Sequence, residues 1–145
     1  MIKEEYTLEE ISYSRKENRQ IMESVLGKWF EKPKTLNFVA PEIPYPFKFK
    51  NWLAVYNRNQ KKITIIILKH HNWIIGYASI LINSDVGSIF HLFIEPKYRR
   101  KNLGIRLIKE IENYGIISNV QSFKLKIQKK NRISYDFFLK LGYAE

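Results

Sequence analysis

The sequence predicts a mixed α+β fold, and three observations carry that expectation. Three apolar runs, Ile63 to Leu68, Trp73 to Ile82 and Ser88 to Ile94, are separated by His70-His71-Asn72 and Asn83-Ser84-Asp85. β-branched runs broken by short polar turns read as an antiparallel meander. After it, Leu103, Leu107, Ile108, Ile111 and Tyr114 recur at helical spacing, with Arg106, Lys109, Glu110 and Glu112 between them, the pattern of an amphipathic helix. Finally Phe123, Leu125 and Ile127 alternate with Lys124, Lys126 and Gln128, which predicts a half-buried strand. A meander followed by helix, strand and helix is not a simple doubly wound sheet.

The other elements follow in order. Thr7-Leu8-Glu9-Glu10 fits a helix-capping box, yet Tyr6 to Tyr13 serves equally as a first strand. Asn18 to Phe30 reads as a helix, with Ile21, Val25 and Trp29 on one face. Pro33, Pro41, Pro44 and Pro46 mark an irregular stretch, because proline blocks helix interiors and central strands. Phe49 to Tyr56 predicts a second short helix. At the far end Asn131 can cap a helix whose apolar face is Ile133, Phe137, Phe138 and Leu141, with Gly142 to end it.

Length and composition bound the class. The chain has 145 residues, 45% hydrophobic and 14% aromatic, enough for one cored domain over residues 1–145 and too short for two. Its lack of cysteine excludes disulfide scaffolds, cysteine-ligated metals and a cysteine nucleophile. The adjacent His70 and His71 would point to opposite faces of a strand, so no metal site is expected. The charged start Met1-Ile2-Lys3-Glu4-Glu5 has no apolar stretch behind it, unlike a signal peptide. The longest mostly apolar run, Trp73 to Ile82, is half the ~20 residues a membrane helix needs. A cytoplasmic protein with no membrane partner is expected.

The formal charge is +11 and lopsided. Residues 1–95 hold 13 basic and 10 acidic side chains, whereas residues 96–145 hold 12 and 4. Such a segment predicts a polyanionic partner: nucleic acid, an acidic protein or a phosphate-bearing cofactor. The aromatic–basic motifs of nucleic-acid readers are absent, which makes nucleic acid the weaker choice.

The segment His91-Leu-Phe-Ile-Glu-Pro-Lys-Tyr-Arg-Arg-Lys-Asn-Leu-Gly104 runs from a strand into a helix. A helix start leaves backbone N–H groups unpaired and carries partial positive charge. Arg99, Arg100 and Lys101 add full charges there, and a glycine lets phosphate oxygens approach the amides. This is chemistry suited to a diphosphate.

Arg99-Arg100-Lys101-Asn102-Leu103-Gly104 resembles the Arg/Gln-x-x-Gly-x-Gly/Ala acetyl-CoA signature of the GNAT superfamily of N-acetyltransferases. Asn131-Arg-Ile-Ser-Tyr-Asp-Phe-Phe-Leu-Lys-Leu-Gly-Tyr143 resembles that family's Asn-x-x-Ala-x-x-Phe-Tyr-x-x-x-Gly-Phe segment. The likeness covers residues 61–145 well and the first 60 loosely. It implies a GNAT-like domain in which backbone groups of Leu92, Phe93 and Ile94 pair with the pantetheine arm of acetyl-CoA. It also implies that Arg99, Arg100, Lys101, Asn102, Leu103, Gly104 and Ile105 hold the pyrophosphate, with Asn131 and Phe138 as further cofactor contacts. The activity implied is direct attack of a primary amine, on a small molecule or a protein, upon the thioester.

Four departures from the family pattern stand out. Asn102 replaces the first motif glycine, and asparagine tolerates unusual backbone angles better than most residues. Phe138 replaces the tyrosine that commonly protonates the leaving thiolate. Ser88, Phe90 and Lys126 occupy places where relatives carry a base, and none is one. The family's last two strands have no counterpart before Glu145, so the sequence is a shortened member, a fragment, or a chain whose sheet another subunit completes; a shortened sheet would leave an edge that invites pairing in a homodimer. For proton transfer the candidates are Glu95, Tyr135 and Tyr143. His91, within the strand, also offers a base, but strand alternation places it on the opposite face from Phe90, where it reads as a buried or solvent-facing structural histidine. In the likeness, the aromatic neighbourhood of Trp29, Phe30, Tyr45, Phe47, Trp52 and Tyr56 shapes the acceptor pocket. The alternative expectation is a GNAT-like module that binds coenzyme A without transferring an acetyl group.

Overall fold

The computed structural model describes residues 5–58 and 62–145; the charged start, Met1 to Glu4, lies outside them. The elements are β1 (Tyr6–Ile11), α1 (Lys16–Trp29), α2 (Pro33–Val39), α3 (Phe49–Arg58), β2 (Ile63–His70), β3 (Trp73–Asn83) and β4 (Val86–Ile94). A short 3-10 turn (Pro96–Tyr98) leads into α4 (Leu103–Ile117), β5 (Ser122–Lys124) and α5 (Arg132–Lys140). No described helix is long and apolar enough to cross a membrane.

One sheet in the order β1-β2-β3-β4-β5 organises the chain. The first four strands are antiparallel neighbours, and β5 alone runs parallel to β4. Alternation along β2 divides the core in two. Ile65 and Ile67 face α1, α2 and α3 with Met22, Leu26, Phe30, Leu36 and Trp52. Ile66 and Leu68 face α4 and α5 with Leu103, Leu107, Ile108, Ile111 and Phe138. A sheet covered on both faces explains why β2 reads as an unbroken apolar run.

The ambiguous first segment is a strand: Leu8 pairs with Leu68, and Glu9 Oε2 meets Lys69 Nζ at 2.6 Å. The irregular stretch inferred from the prolines is corrected at its start, because Pro33 opens α2 at the first helical position. Proline's fixed φ and missing N–H cost nothing there. The end of α5 is closed as the sequence suggests. Gly142 has φ +97°, its N–H donates to Leu139 O, and the Tyr143 N–H reaches back to Phe138 O. That bond pair makes a Schellman ending.

Strand β5 is shorter than its alternation suggests. Phe123, Leu125 and Ile127 stay half-buried while Lys124 and Lys126 are exposed, but ladder pairing stops at Lys124. Phe123 is seated where two glycines permit close approach. An added Cβ would lie 3.2 Å from its ring at Gly87 and 2.6 Å from it at Gly115. Those contacts pin the start of β5 to β4 and α4. Beyond Ser88, β4 has no partner on that side among the described residues.

Candidate active site

The unpaired stretch of β4, Ile89 to Ile94, is where sheet geometry and chemistry meet. Its far side pairs with β3, but the ladder slips between Tyr77↔Phe93 and Ser79↔Phe90. The slip is a bulge at which His91 takes φ +56°. A bulge re-aims side chains, and here it overturns the expected alternation. His91 lies on the same face as Phe90, with ring centroids 4.7 Å apart.

His91 is buried, with its side chain 1% exposed. Its Nε2 lies 2.5 Å from Glu42 Oε1 and its Nδ1 2.8 Å from Tyr56 Oη. An ionised carboxylate only accepts, so Nε2 carries the hydrogen and Nδ1 accepts from the Tyr56 hydroxyl. Tyr56 Oη in turn lies 2.7 Å from Ser79 Oγ, and the imidazole stacks on Trp52 at 4.0 Å. Burial holds the imidazole below its ordinary pKa, only partly opposed by Glu42. Burial is the largest single influence on the Glu42 carboxyl and would raise it, but the His91 interactions, a backbone hydrogen bond and the field of Arg58 together outweigh burial and hold that group below its ordinary value. Both directions describe neutral His91 donating to ionised Glu42. Beside this chain, Trp52 Nε1 donates to Tyr13 Oη (3.2 Å) and Tyr77 Oη (3.3 Å), which are 3.0 Å from each other. Burial raises all three phenols, Tyr13, Tyr56 and Tyr77, so they stay protonated.

Past β4 the chain enters the basic turn. Arg99 folds back, its Nε donating to Ile94 O at 2.8 Å with the guanidinium 5.3 Å from the Phe93 ring. Arg100 has φ +65° and Asn102 φ +61°, so the asparagine occupies the left-handed conformation that glycine favours. Asn102 is the N-cap of α4, and Arg106 N–H is the first to bond back, to Asn102 O at 3.3 Å. The N–H groups of Leu103, Gly104 and Ile105 therefore precede the helical ladder, as an anion site requires. A Cβ on Gly104 would stand 3.3 Å from Phe137 Cζ. That glycine thus also sets how closely α5 approaches α4.

The remaining candidates separate. Glu95 ends β4, and its Oε2 accepts from Trp29 Nε1 at 2.9 Å. Tyr143 follows α5 and is tied to α4: its hydroxyl donates to Glu112 Oε2 at 2.6 Å, and burial with that bond pushes its pKa well up. Tyr135 is tied at the surface to Glu145 Oε2 at 3.0 Å, which raises it as well. Asn131 Oδ1 caps α5 by accepting from Ser134 N–H at 3.4 Å. Phe138 is 5% exposed, packed edge-on to Phe137 and Tyr143. Of the aromatic neighbourhood, Phe30, Trp52 and Tyr56 are core, while Tyr45 is exposed. No group of three or more His, Asp or Glu among the described residues could hold a metal ion. Sequence reasoning missed Glu42, Ser79, Tyr13 and Tyr77. Their partners lie 23 to 64 positions away, and no local pattern marks them.

A five-stranded sheet whose β4 and β5 part company beside a left-handed turn at a helix start defines a class. The model of the acetyltransferase (GNAT) family matches residues 20–143, and the chain belongs to that family. A curated relative, the spermidine N(1)-acetyltransferase of Thermoplasma acidophilum, is 23% identical over 88 residues. That alignment covers 59% of this chain, which spans about half (55%) of the relative's length. Among solved structures, the aminoglycoside N-acetyltransferase AAC(6')-Iy in complex with CoA superposes with a TM-score of 0.74 at 15% identity, covering 99% of this chain and 91% of its own. The PaiA N-acetyltransferase of Thermoplasma acidophilum in complex with coenzyme A gives 0.71 at 16% identity, covering 94% and 87%. The ribosomal-protein-S18-alanine N-acetyltransferase of Escherichia coli gives 0.68 at 15%, covering 97% and 79%. At these identities the structural likeness is one of fold.

Proposed function

We propose that this chain moves an acetyl group from acetyl-CoA to a primary amine by direct attack, with no acyl-enzyme. The observation that carries the reading is the unpaired edge of β4 from Ile89 to Ile94, which runs into the left-handed turn at Asn102. Backbone groups of Leu92, Phe93 and Ile94 can pair with an extended amide-bearing arm as a further strand would. At the end of that edge, the N–H groups of Leu103, Gly104 and Ile105, with Arg100 and Lys101, suit a pyrophosphate. Arg99 acts differently from the other two cations. Bound to Ile94 O, it fixes the exit of the strand relative to the turn.

When bound, the thioester supplies the activated acetyl carbon. The amine nitrogen bonds to that carbon, the carbon–sulfur bond breaks, and the thiol leaves with a proton from the amine. Of the three proton-transfer candidates, Glu95 alone lies at β4, whereas Tyr135 and Tyr143 are committed to carboxylates on or after α4 and α5. We assign any protein-assisted loss of the amine proton to Glu95, held by Trp29. Phe138 offers no proton, so the thiolate departs without an acid from α5. The spermidine, aminoglycoside and ribosomal-protein relatives span small and large acceptors, and the shared element is an amine.

Thiol release from acetyl-CoA against a panel of primary amines tests this reading. Amine-dependent release supports it. Saturable cofactor binding with no release from any amine would instead leave a coenzyme-A-binding module.

A further inference from the structure

The loop between α2 and α3 presents a carboxylate whose charge the protein leaves without a cationic partner. Glu42 lies between buried Ala40 and Ile43, 0% and 6% exposed, and Ile43 N–H donates to Ala40 O at 3.0 Å. Its backbone is thereby fixed, yet its side chain is 48% exposed. Oε1 accepts from His91, which is itself locked by Tyr56, by the Trp52 stack and by the bulge of β4. Ion pairs within 4.0 Å among the described residues join Arg15 to Glu17 and Lys69 to Glu9, and none gives Glu42 a lysine or arginine. Arg58 on α3 reaches it only through its field. So in a chain of charge +11, Glu42, like Glu95 at the end of the open strand, is a held carboxylate without a lysine or arginine partner among the described residues, and it alone of the two is backed by a neutral imidazole.

If Glu42 served only to satisfy buried His91, the amide oxygen of glutamine would do the same. The negative charge needs a separate reason. We propose that Glu42 anchors a cationic centre of the acceptor, with His91 as its positioning residue. The anchored centre is not the reacting nitrogen. A carboxylate beside an ammonium favours its charged form, which has no lone pair for attack. The acceptor class is then a primary amine carrying at least one further cation, as in a linear diamine. This rests on the acetyltransferase reading above and goes beyond it by naming what the acceptor must carry.

Calorimetric titration of the coenzyme-A-loaded protein with 1,4-diaminobutane and with butylamine tests the anchor without requiring turnover. Hydrogen bonds to charged groups contribute enough that Glu42→Gln should weaken the diamine at least ~10-fold, with butylamine within about twofold. His91→Gln, which keeps a donor near the Nε2 position, should fall between wild type and E42Q for the diamine and leave butylamine alone. Equal weakening of both amines in E42Q, an unchanged diamine affinity, or a wild type that binds neither amine would overturn the proposal. Diamine binding that depends on Glu42 without any thiol release would uphold the anchor while defeating the transfer reading.

Discussion

A Cβ added to Gly115 would meet Phe123 Cε1 at 2.6 Å, so the backbone of helix α4 lies directly against the Phe123 ring of strand β5. That contact holds β5 against the first three residues of β4 and nowhere further along it. The opening between the strands therefore depends on a glycine far from the basic turn.

Gly115→Ala should destabilise the protein. Alanine gains up to ~1 kcal/mol of helix propensity, but forcing Phe123 and Ile80 apart costs about 1–3 kcal/mol. The net effect is a fall of a few degrees in melting temperature. Gly27→Ala in α1 is the control, since nothing lies within 4 Å of its added Cβ. It should raise stability by roughly 0.5–1 kcal/mol. Thermal melts of the two variants moving in the same direction would contradict this account of the contact.

Asn102 tests the basic turn. At φ +61°, a residue other than glycine or asparagine carries about 1–2 kcal/mol of strain. Asn102→Gly should leave the melting temperature within a degree or two, and Asn102→Ala should lower it by several degrees. An alanine variant as stable as wild type would mean that the turn relaxes.

The Glu42–His91 pair predicts a dependence of stability on pH. The His91 pKa is held below its ordinary 6.5 in the fold, so between the two values the unfolded chain binds more protons. Stability is then full above about pH 6.5 and declines as pH falls. Glu42, held below its ordinary 4.5, adds a second loss at lower pH in the same direction. Melting temperatures from pH 8 to 5 should drop below pH 6.5 in wild type, and His91→Gln should flatten that portion. An unchanged slope in the variant would place the titration elsewhere.

Glu95 makes a kinetic prediction. Glu95→Gln keeps a group that accepts from Trp29 Nε1 but removes the charge, and should lower kcat on the order of 10²-fold, as for loss of a general base. Unchanged kcat would remove Glu95 from proton transfer.

How much of this was legible in the sequence follows from the range of the interactions. The meander, α4 and α5 announce themselves through local periodicity, and Asn131 and Gly142 cap α5 through bonds of three to five residues' reach. Asn102 could be read as a glycine substitute because its left-handed angle is a local property. His91 could not be placed, because a bulge set by pairing with β3 cancels the alternation that sequence reasoning assumes. Glu42 left no signal at all. It meets His91 across 49 positions, from a proline-bearing loop that looks irregular until Ala40 and Ile43 are seen to be buried. Proline likewise hid α2, by standing at the one helical position where it is harmless.

The claim on which the rest depends is that the free edge of β4 and the turn at Asn102 together hold acetyl-CoA. Titrating the protein with acetyl-CoA by calorimetry, in wild type and in Asn102→Val, measures it most directly. The account predicts saturable one-to-one binding in wild type and affinity about 5- to 30-fold weaker in the variant, equivalent to the ~1–2 kcal/mol strain of a left-handed residue. No saturable heat in wild type, or equal affinity in both proteins, would contradict it.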